Sequence, residues 1–177
     1  MLNERGVEVV APLFANSNVD IPALPAEMNR VFEEDADVVM DVGGDDAGSV
    51  VLGRFASQLA NVDYELLYVV NKYRNLTATP EEAVEILQEI QAASRCKASA
   101  IVNNSHLKQE TTWEVVRDAI EYGNEVSKLL ELPIYGTTIP RYLLKDDRVS
   151  AEAEKTDTKF IPIDIYVKAP WEYPEFN

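Results

Sequence analysis

Cysteine and histidine are almost absent from this chain, and Cys96 and His106 are the single residues of their types. One cysteine cannot form an intramolecular disulfide or build a thiolate metal site, and we expect Cys96 to pack at a helix end. One histidine leaves Ser-His-Asp, Cys-His and histidine-rich metal arrangements without the parts they need. The sequence therefore gives no signature of nucleophilic catalysis or of a cysteine–histidine metal centre.

Basic residues are also scarce. The chain has 16 Lys and Arg against 31 Asp and Glu, a formal net charge of −15, with no run of Lys or Arg. Because such a surface repels phosphate backbones and anionic lipid headgroups, we expect no nucleic-acid partner. No apolar run approaches the ~18 residues of a membrane span, and the first residues do not form a signal peptide. We therefore expect a cytoplasmic protein without a membrane span.

What the chain does contain is a series of short apolar runs. Its 177 residues, 46% of them hydrophobic, are enough for one domain with a buried core. Continuous apolar strands that alternate with helices are typical of a parallel sheet covered by helices on both faces. The sequence therefore predicts a single α/β domain, 1–177, in three layers with a mostly parallel sheet. Its strands are expected near residues 7–11, 37–42, 65–71, 98–103 and 133–138.

Two helices have clear start signals. The pattern Thr79-Pro80-Glu81-Glu82 predicts a capped helix, and Thr111 with Glu114 predicts a second capping box that opens a long helix. Further along, residues 143–160 are polar and low in aromatics, which predicts a mobile surface segment. The alternating run at residues 161–167 predicts an exposed or edge strand.

Polar residues stand where the predicted strands end. Asp41 interrupts an apolar run, where a buried carboxylate is costly unless it is paired or bound to a metal. Either Mg²⁺ coordination or hydrogen bonds from backbone N–H groups would account for it. Asn71, Asn103 and Asn104 end two later strands, where an amide can pair with the edge of a base or satisfy the turn that follows. For each residue the sequence leaves both alternatives open.

In their order and spacing these motifs resemble the ParA/MinD-like (SIMIBI-class) P-loop ATPases over roughly residues 36–142. The shared features are Asp41-Val42-Gly43-Gly44, the two asparagine-ended strands and the segment Ile139-Pro140-Arg141. The resemblance implies that Asp41 helps to hold Mg²⁺ through water, and that Asn103, beside Asn104, contacts the adenine of ATP. It also implies that Asn71 lies in the same cofactor site and that Ile139 and Pro140 close the base pocket. ATP and magnesium are thus the cofactors that the family implies.

The sequence lacks the phosphate-binding loop of that family. Family members begin with a strand and a loop of the type Lys-Gly-Gly-x-Gly-Lys-Thr, whereas this chain is expected to begin where the family's second helical section ends. Residues 43–49 have glycines at the spacing of a phosphate loop, but Ser49 and Val50 occupy the lysine and threonine positions. Asp45 and Asp46 would place negative charge where phosphates lie. We therefore expect ATP binding to be weak or lost.

Three hypotheses for the function remain open. The first, which the missing lysine favours, is a degenerate family member that hydrolyses nothing alone and acts through protein contacts. The second is an ATPase whose phosphate loop is supplied by another polypeptide or is missing from the chain as given. The third is a regulatory or binding protein unrelated to nucleotides.

Assembly is a further expectation. The resemblance implies that the missing first strand belongs inside the sheet, so its loss would expose a sheet edge that pairs with a protein partner or a second copy. Alternatively, the C-terminal strand at residues 161–167 folds back and covers the gap within one chain.

Overall fold

The structure is a computed structural model that describes residues 2–11, 26–32, 35–44 and 46–166. Short 3₁₀ helices lie at Asn3–Arg5, Ala26–Phe32, Lys108–Glu110 and Arg141–Lys145. The α-helices are α1 (Asp46–Gly53), α2 (Ala56–Leu59), α3 (Pro80–Ser94), α4 (Trp113–Leu130) and α5 (Asp147–Thr156). The strands are β1 (Leu67–Val70), β2 (Ala100–Asn103), β3 (Ile134–Pro140) and β4 (Phe160–Ile163).

The four strands form one sheet in the order β1-β2-β3-β4, and every neighbouring pair is parallel. Helices α3, α4 and α5 connect consecutive strands, as parallel pairing requires. The predicted α/β fold with a parallel sheet is confirmed, and the arrangement is consistent with three layers. The runs near 65–71, 98–103 and 133–138 are strands β1, β2 and β3, and the run predicted as an edge strand supplies β4 at one edge of the sheet.

Two predicted strands are wrong. Residues 7–11 and 37–42 belong to no strand, and the side chains of Val38 and Val39 are exposed. An apolar run becomes a strand only when a neighbouring strand pairs with its N–H and C=O groups. Among the described residues, no strand lies beside either run.

The core has a main part on one face of the sheet. Tyr68, Val70 and Ile101 pack against residues of α3 and α4, which include Leu87 and Val126. A second cluster joins α4, β3 and α5 through Trp113, Val116, Ile120, Ile139 and Val149. A third contains Phe55, Leu59 and the buried Cys96, which follows α3 as expected, with Met28, Phe32, Leu52 and Leu66 packed against it.

Of the two helix starts predicted from capping boxes, one lies where it was predicted and the other lies one residue later. Thr79 and Glu82 form the predicted capping box of α3. Helix α4 is capped by Thr112 instead of Thr111, because the hydroxyl of Thr111 is already bonded to the backbone of Leu107 and Lys108. Helix α5 lies in the polar segment 143–160, where the sequence analysis did not predict a helix.

Candidate functional site

The carboxyl-terminal ends of β1, β2 and β3 lie at one edge of the sheet because the three strands are parallel. In open α/β sheets this edge is where ligands bind. It brings together Asn71, Asn103, Asn104 and Pro140, and we call these residues the asparagine edge. A backbone bond of 2.8 Å from Asn104 N to Val70 O and a 2.7 Å bond from Thr138 Oγ1 to Asn104 Oδ1 connect the three strand ends.

Asp41 does not belong to this edge. It was expected to end a core strand, but it lies in the segment 37–43 outside the sheet, and Asp41 is exposed. The burial cost that suggested a metal ligand at this position therefore does not arise. Within the described residues, no group of three or more His, Cys, Asp or Glu side chains is arranged to hold a metal ion.

Asn103 is the most buried member of the asparagine edge, with 0% of its surface exposed. Its Nδ2 donates to Ala119 O of α4 at 2.6 Å, and its Oδ1 accepts from Ser105 Oγ at 2.7 Å. Gly123 allows this approach, because a Cβ at that position would lie 2.6 Å from Asn103 Nδ2. Both ends of the amide are therefore engaged inside the protein and not directed to a ligand.

The other two asparagines are also bonded locally. Asn71 Oδ1 accepts from Tyr73 N at 2.9 Å, and its carbonyl accepts from Thr77 Oγ1 at 2.8 Å, so it organises the turn after β1. Asn104 is half-buried, and its Oδ1 accepts from Thr138. Asn71 and Asn104 are both partly exposed, and each has a side-chain bond at its amide oxygen alone. Both therefore suit contact with a ligand better than the buried Asn103.

Ile139 and Pro140, expected to close a base pocket, are buried at the end of β3. Ile139 is packed among Trp113, Val116, Ile120 and Val149, so its side chain serves the core between the sheet and its helices. Pro140 pairs with Ile163 of β4. Pro140 lies in the asparagine edge and Ile139 lies beside it, as the sequence predicts. The contacts of both residues are those of core residues.

Ser105 is a polar residue of this edge that the sequence analysis missed. It is 1% exposed, donates to Asn103 and accepts from Lys72 N at 2.9 Å, which links the turns after β1 and β2. Its position two residues after Asn103 was the available signal, because a serine or asparagine after a strand commonly bonds the next turn. The network is complete, since no buried side-chain N or O atom in the described part of the chain lacks a partner.

Burial shifts the pKa values of three titratable groups near the asparagine edge toward the uncharged form. Burial raises the pKa of Tyr122 to about 12, and its hydroxyl donates to Thr77 O at 2.7 Å. Burial, followed by the nearby charge of Asp118, raises the pKa of Tyr73. Burial, and then Lys108, lowers the pKa of His106, whose Nδ1 accepts from Lys108 N at 3.1 Å. Lys72, after β1, pairs with Asp118 of α4 at 3.7 Å, and both side chains are partly exposed.

Strand β1 forms the lateral edge of the sheet on the side away from β4. Among the described strands β1 pairs with β2 alone, and Val69 is 57% exposed. On its outer side β1 has no neighbouring strand within the described residues.

Comparisons with protein-family models, with curated proteins and with solved structures found no match to this chain. In the part of the chain that the structure describes, none of the helices has the length and apolar character needed to cross a bilayer.

Proposed function

We propose that this chain is a degenerate ParA/MinD-like domain of the cytoplasm that acts through protein contacts and not through ATP turnover. The observation that carries the proposal is the engagement of Asn103, the residue that the resemblance assigns to the adenine. The amide of Asn103 is bonded to Ala119 and Ser105 instead. Binding of adenine by this amide would therefore require two buried hydrogen bonds to break.

ATP and magnesium do not fit the described residues well. Asp41, the implied metal ligand, lies outside the sheet, and the sequence has Ser49 where a phosphate loop needs lysine. A surface depression between α3 and α4 is lined by Glu81 and Glu125 against the single cation of Lys128, which disfavours phosphate. Asn103, which the resemblance assigns to the adenine, is therefore engaged elsewhere, and Asp41, which it assigns to the metal, lies away from the sheet.

Protein contact is supported by the apolar side chains that the fold leaves exposed. Val39 is 95% exposed within the run 37–42, and Val69 is exposed on the edge strand β1. Scattered apolar residues on a surface are ordinary, but β1 combines an exposed valine with an outer side that no described strand pairs. Such a strand is suited to binding another chain.

A second candidate is a nucleotide site that is completed by another polypeptide. The observation in its favour is the convergence of Asn71, Asn104 and Pro140 at one edge of the sheet. In this alternative Asn104, and not the buried Asn103, would contact the base.

Titration calorimetry with ATP and Mg²⁺ tests both candidates. We expect no binding in the micromolar range and no hydrolysis above background, because no lysine and glycine loop is available for the phosphates. Tight one-to-one binding would overturn the proposal. The variant Asn104→Ala would then decide between sites, because it should weaken a base site at the asparagine edge and leave binding elsewhere unchanged.

A further inference from the structure

The outer side of β1 has no backbone hydrogen bond to another strand among the described residues. Val70 O accepts from Asn104 N, and Leu66 O accepts from Ser99 N, so these residues face β2. Because N–H and C=O groups point to alternate sides along a strand, Leu67 and Val69 direct theirs away from the sheet. Beyond them Asn71 O is occupied by Thr77 and Arg74 within the turn. The available edge is therefore short and centred on Leu67 and Val69.

The charges along this edge have opposite signs at its two ends. Asp63 and Glu65 precede β1, and both are exposed. Lys72 and Arg74 follow it, and Arg74 N bonds Asn71 O, which keeps Arg74 within one turn of the strand end. An antiparallel neighbour with the same sequence would place each acidic end beside a basic end.

We propose that the outer edge of β1 binds a second copy of this chain, with the two β1 strands antiparallel about a two-fold axis near Tyr68, so that Leu67 of each copy lies opposite Val69 of the other. This inference rests on the proposed function and names its partner. The two copies would extend the sheet across the axis through the backbone groups of Leu67 and Val69. The two-fold symmetry forms each contact between an acidic end and a basic end twice.

The charges disfavour residues 35–42 of the same chain as the occupant of the outer edge of β1. Residues 35–42 contain Asp35, Asp37 and Asp41 and no Lys or Arg. In either direction that run would bring an aspartate near Asp63 or Glu65, and like charges side by side destabilise a strand pair. The structure also leaves residues 37–42 outside the sheet. The short edge implies a weak dimer, so the association must be measured over a range of concentrations.

Sedimentation velocity of the whole chain, from about 1 μM to about 1 mM, measures this dimer. Glu65→Lys and Arg74→Glu should each weaken self-association by about tenfold, because each places like charges together twice. An equimolar mixture of the two variants should associate like the unmodified chain, since every opposed pair is then complementary.

Arg74 is chosen because Lys72 already contacts Asp118. Glu89→Lys on α3 and Lys128→Glu on α4 change the net charge equally at other exposed positions and should have little effect.

A backbone variant tests the strand pairing itself. Val69→Pro removes an outward N–H and leaves the bonds to β2 in place, so it should weaken dimerisation about tenfold or more. Val69→Thr keeps the N–H and the branched shape, and should retain most of the dimer. Circular dichroism melting checks that Val69→Pro remains folded. If it does not, the mixture of charge variants decides the question.

Two results would overturn the inference. One is a monomer at every concentration, and the other is a dimer that none of the edge variants weakens, as a contact through residues 37–42 would give. Neither result bears on the proposed function, which allows another protein as partner and fails instead on tight ATP binding.

Discussion

Asn103 illustrates how the surroundings of a residue decide its role. Its position at the end of a core strand could be predicted, because the apolar run before it ends there. Its partners could not, since Ala119 O is 16 residues away on α4 and approaches only where Gly123 leaves space. An amide at a strand end suits a base and a backbone carbonyl equally. The tertiary approach of α4 selects the carbonyl.

The stability of the protein should therefore depend more on Asn103 than on Asn104. Asn103→Ala leaves Ala119 O and Ser105 without their buried partners, and we expect it to lower the free energy of unfolding by about 1–3 kcal/mol. Asn104→Ala removes one bond at a half-buried position and should cost about 0.5–1.5 kcal/mol. Urea unfolding of both variants makes the comparison. Equal and negligible losses would contradict the structural role assigned to Asn103.

His106 should make stability depend on pH. Burial, and secondarily Lys108, lowers its pKa below the ordinary value of 6.5, so the unfolded chain binds the proton more readily. Its contribution to stability is complete above pH 6.5 and is lost as pH falls from there toward the lower folded pKa. His106→Asn keeps an acceptor for Lys108 N and does not titrate. Unfolding at about pH 7.5 and about pH 5.5 should show a larger loss for the unmodified chain than for the variant. Equal losses would contradict this assignment, because the carboxylates titrate in both proteins.

Helix ends are the elements for which local sequence and structure agree best. The start of α3 was predictable because a capping box is closed by residues three positions apart. The start of α4 was misplaced by one residue, because a loop contact engages Thr111. Helix α5 escaped prediction because its polar sequence places few apolar side chains inward, among them Val149. Elements defined by their own residues could be predicted, and elements defined by distant neighbours could not.

The capping box of α3 should contribute measurably to the free energy of unfolding. Glu82 N donates to Thr79 Oγ1 at 3.2 Å, and Thr79 N donates to Glu82 Oε2 at 3.0 Å. We expect Thr79→Ala to lower the free energy of unfolding by about 0.5–2 kcal/mol. Glu81→Ala removes a neighbouring acidic residue outside the box and serves as the control. If the two variants lose the same stability in chemical denaturation, the hydroxyl of Thr79 contributes no more than a single acidic residue in the first turn of the helix.

At the scale of the whole molecule, the sheet shows where the sequence analysis succeeded and failed. Strands β1, β2 and β3 were predictable because each is a buried apolar run between helices. The run at 37–42 has the same composition and remains outside the sheet, because a strand needs a partner that its own sequence cannot specify. Val69 is exposed because it alternates with the buried Tyr68 and Val70, so its side chain lies on the face of the sheet opposite to theirs. Both features leave apolar side chains exposed on the surface of this acidic chain.

The net charge should control that binding through salt. Two copies that each carry −15 repel one another, by roughly 20 kcal/mol at a separation of ~40 Å in water without ions. The screening length falls from about 30 Å at 0.01 M salt to about 8 Å at 0.15 M, so salt removes this long-range repulsion first. The contacts at the β1 edge act over a few ångströms and are screened less. We therefore expect sedimentation to show the weakest self-association at the lowest ionic strength and a clear increase toward 0.15 M salt. Val69→Pro should remain largely monomeric at both, because removing repulsion cannot replace the missing pairing. A dimer that weakens steadily as salt is added would mean that charge pairs dominate the interface over apolar and backbone contacts.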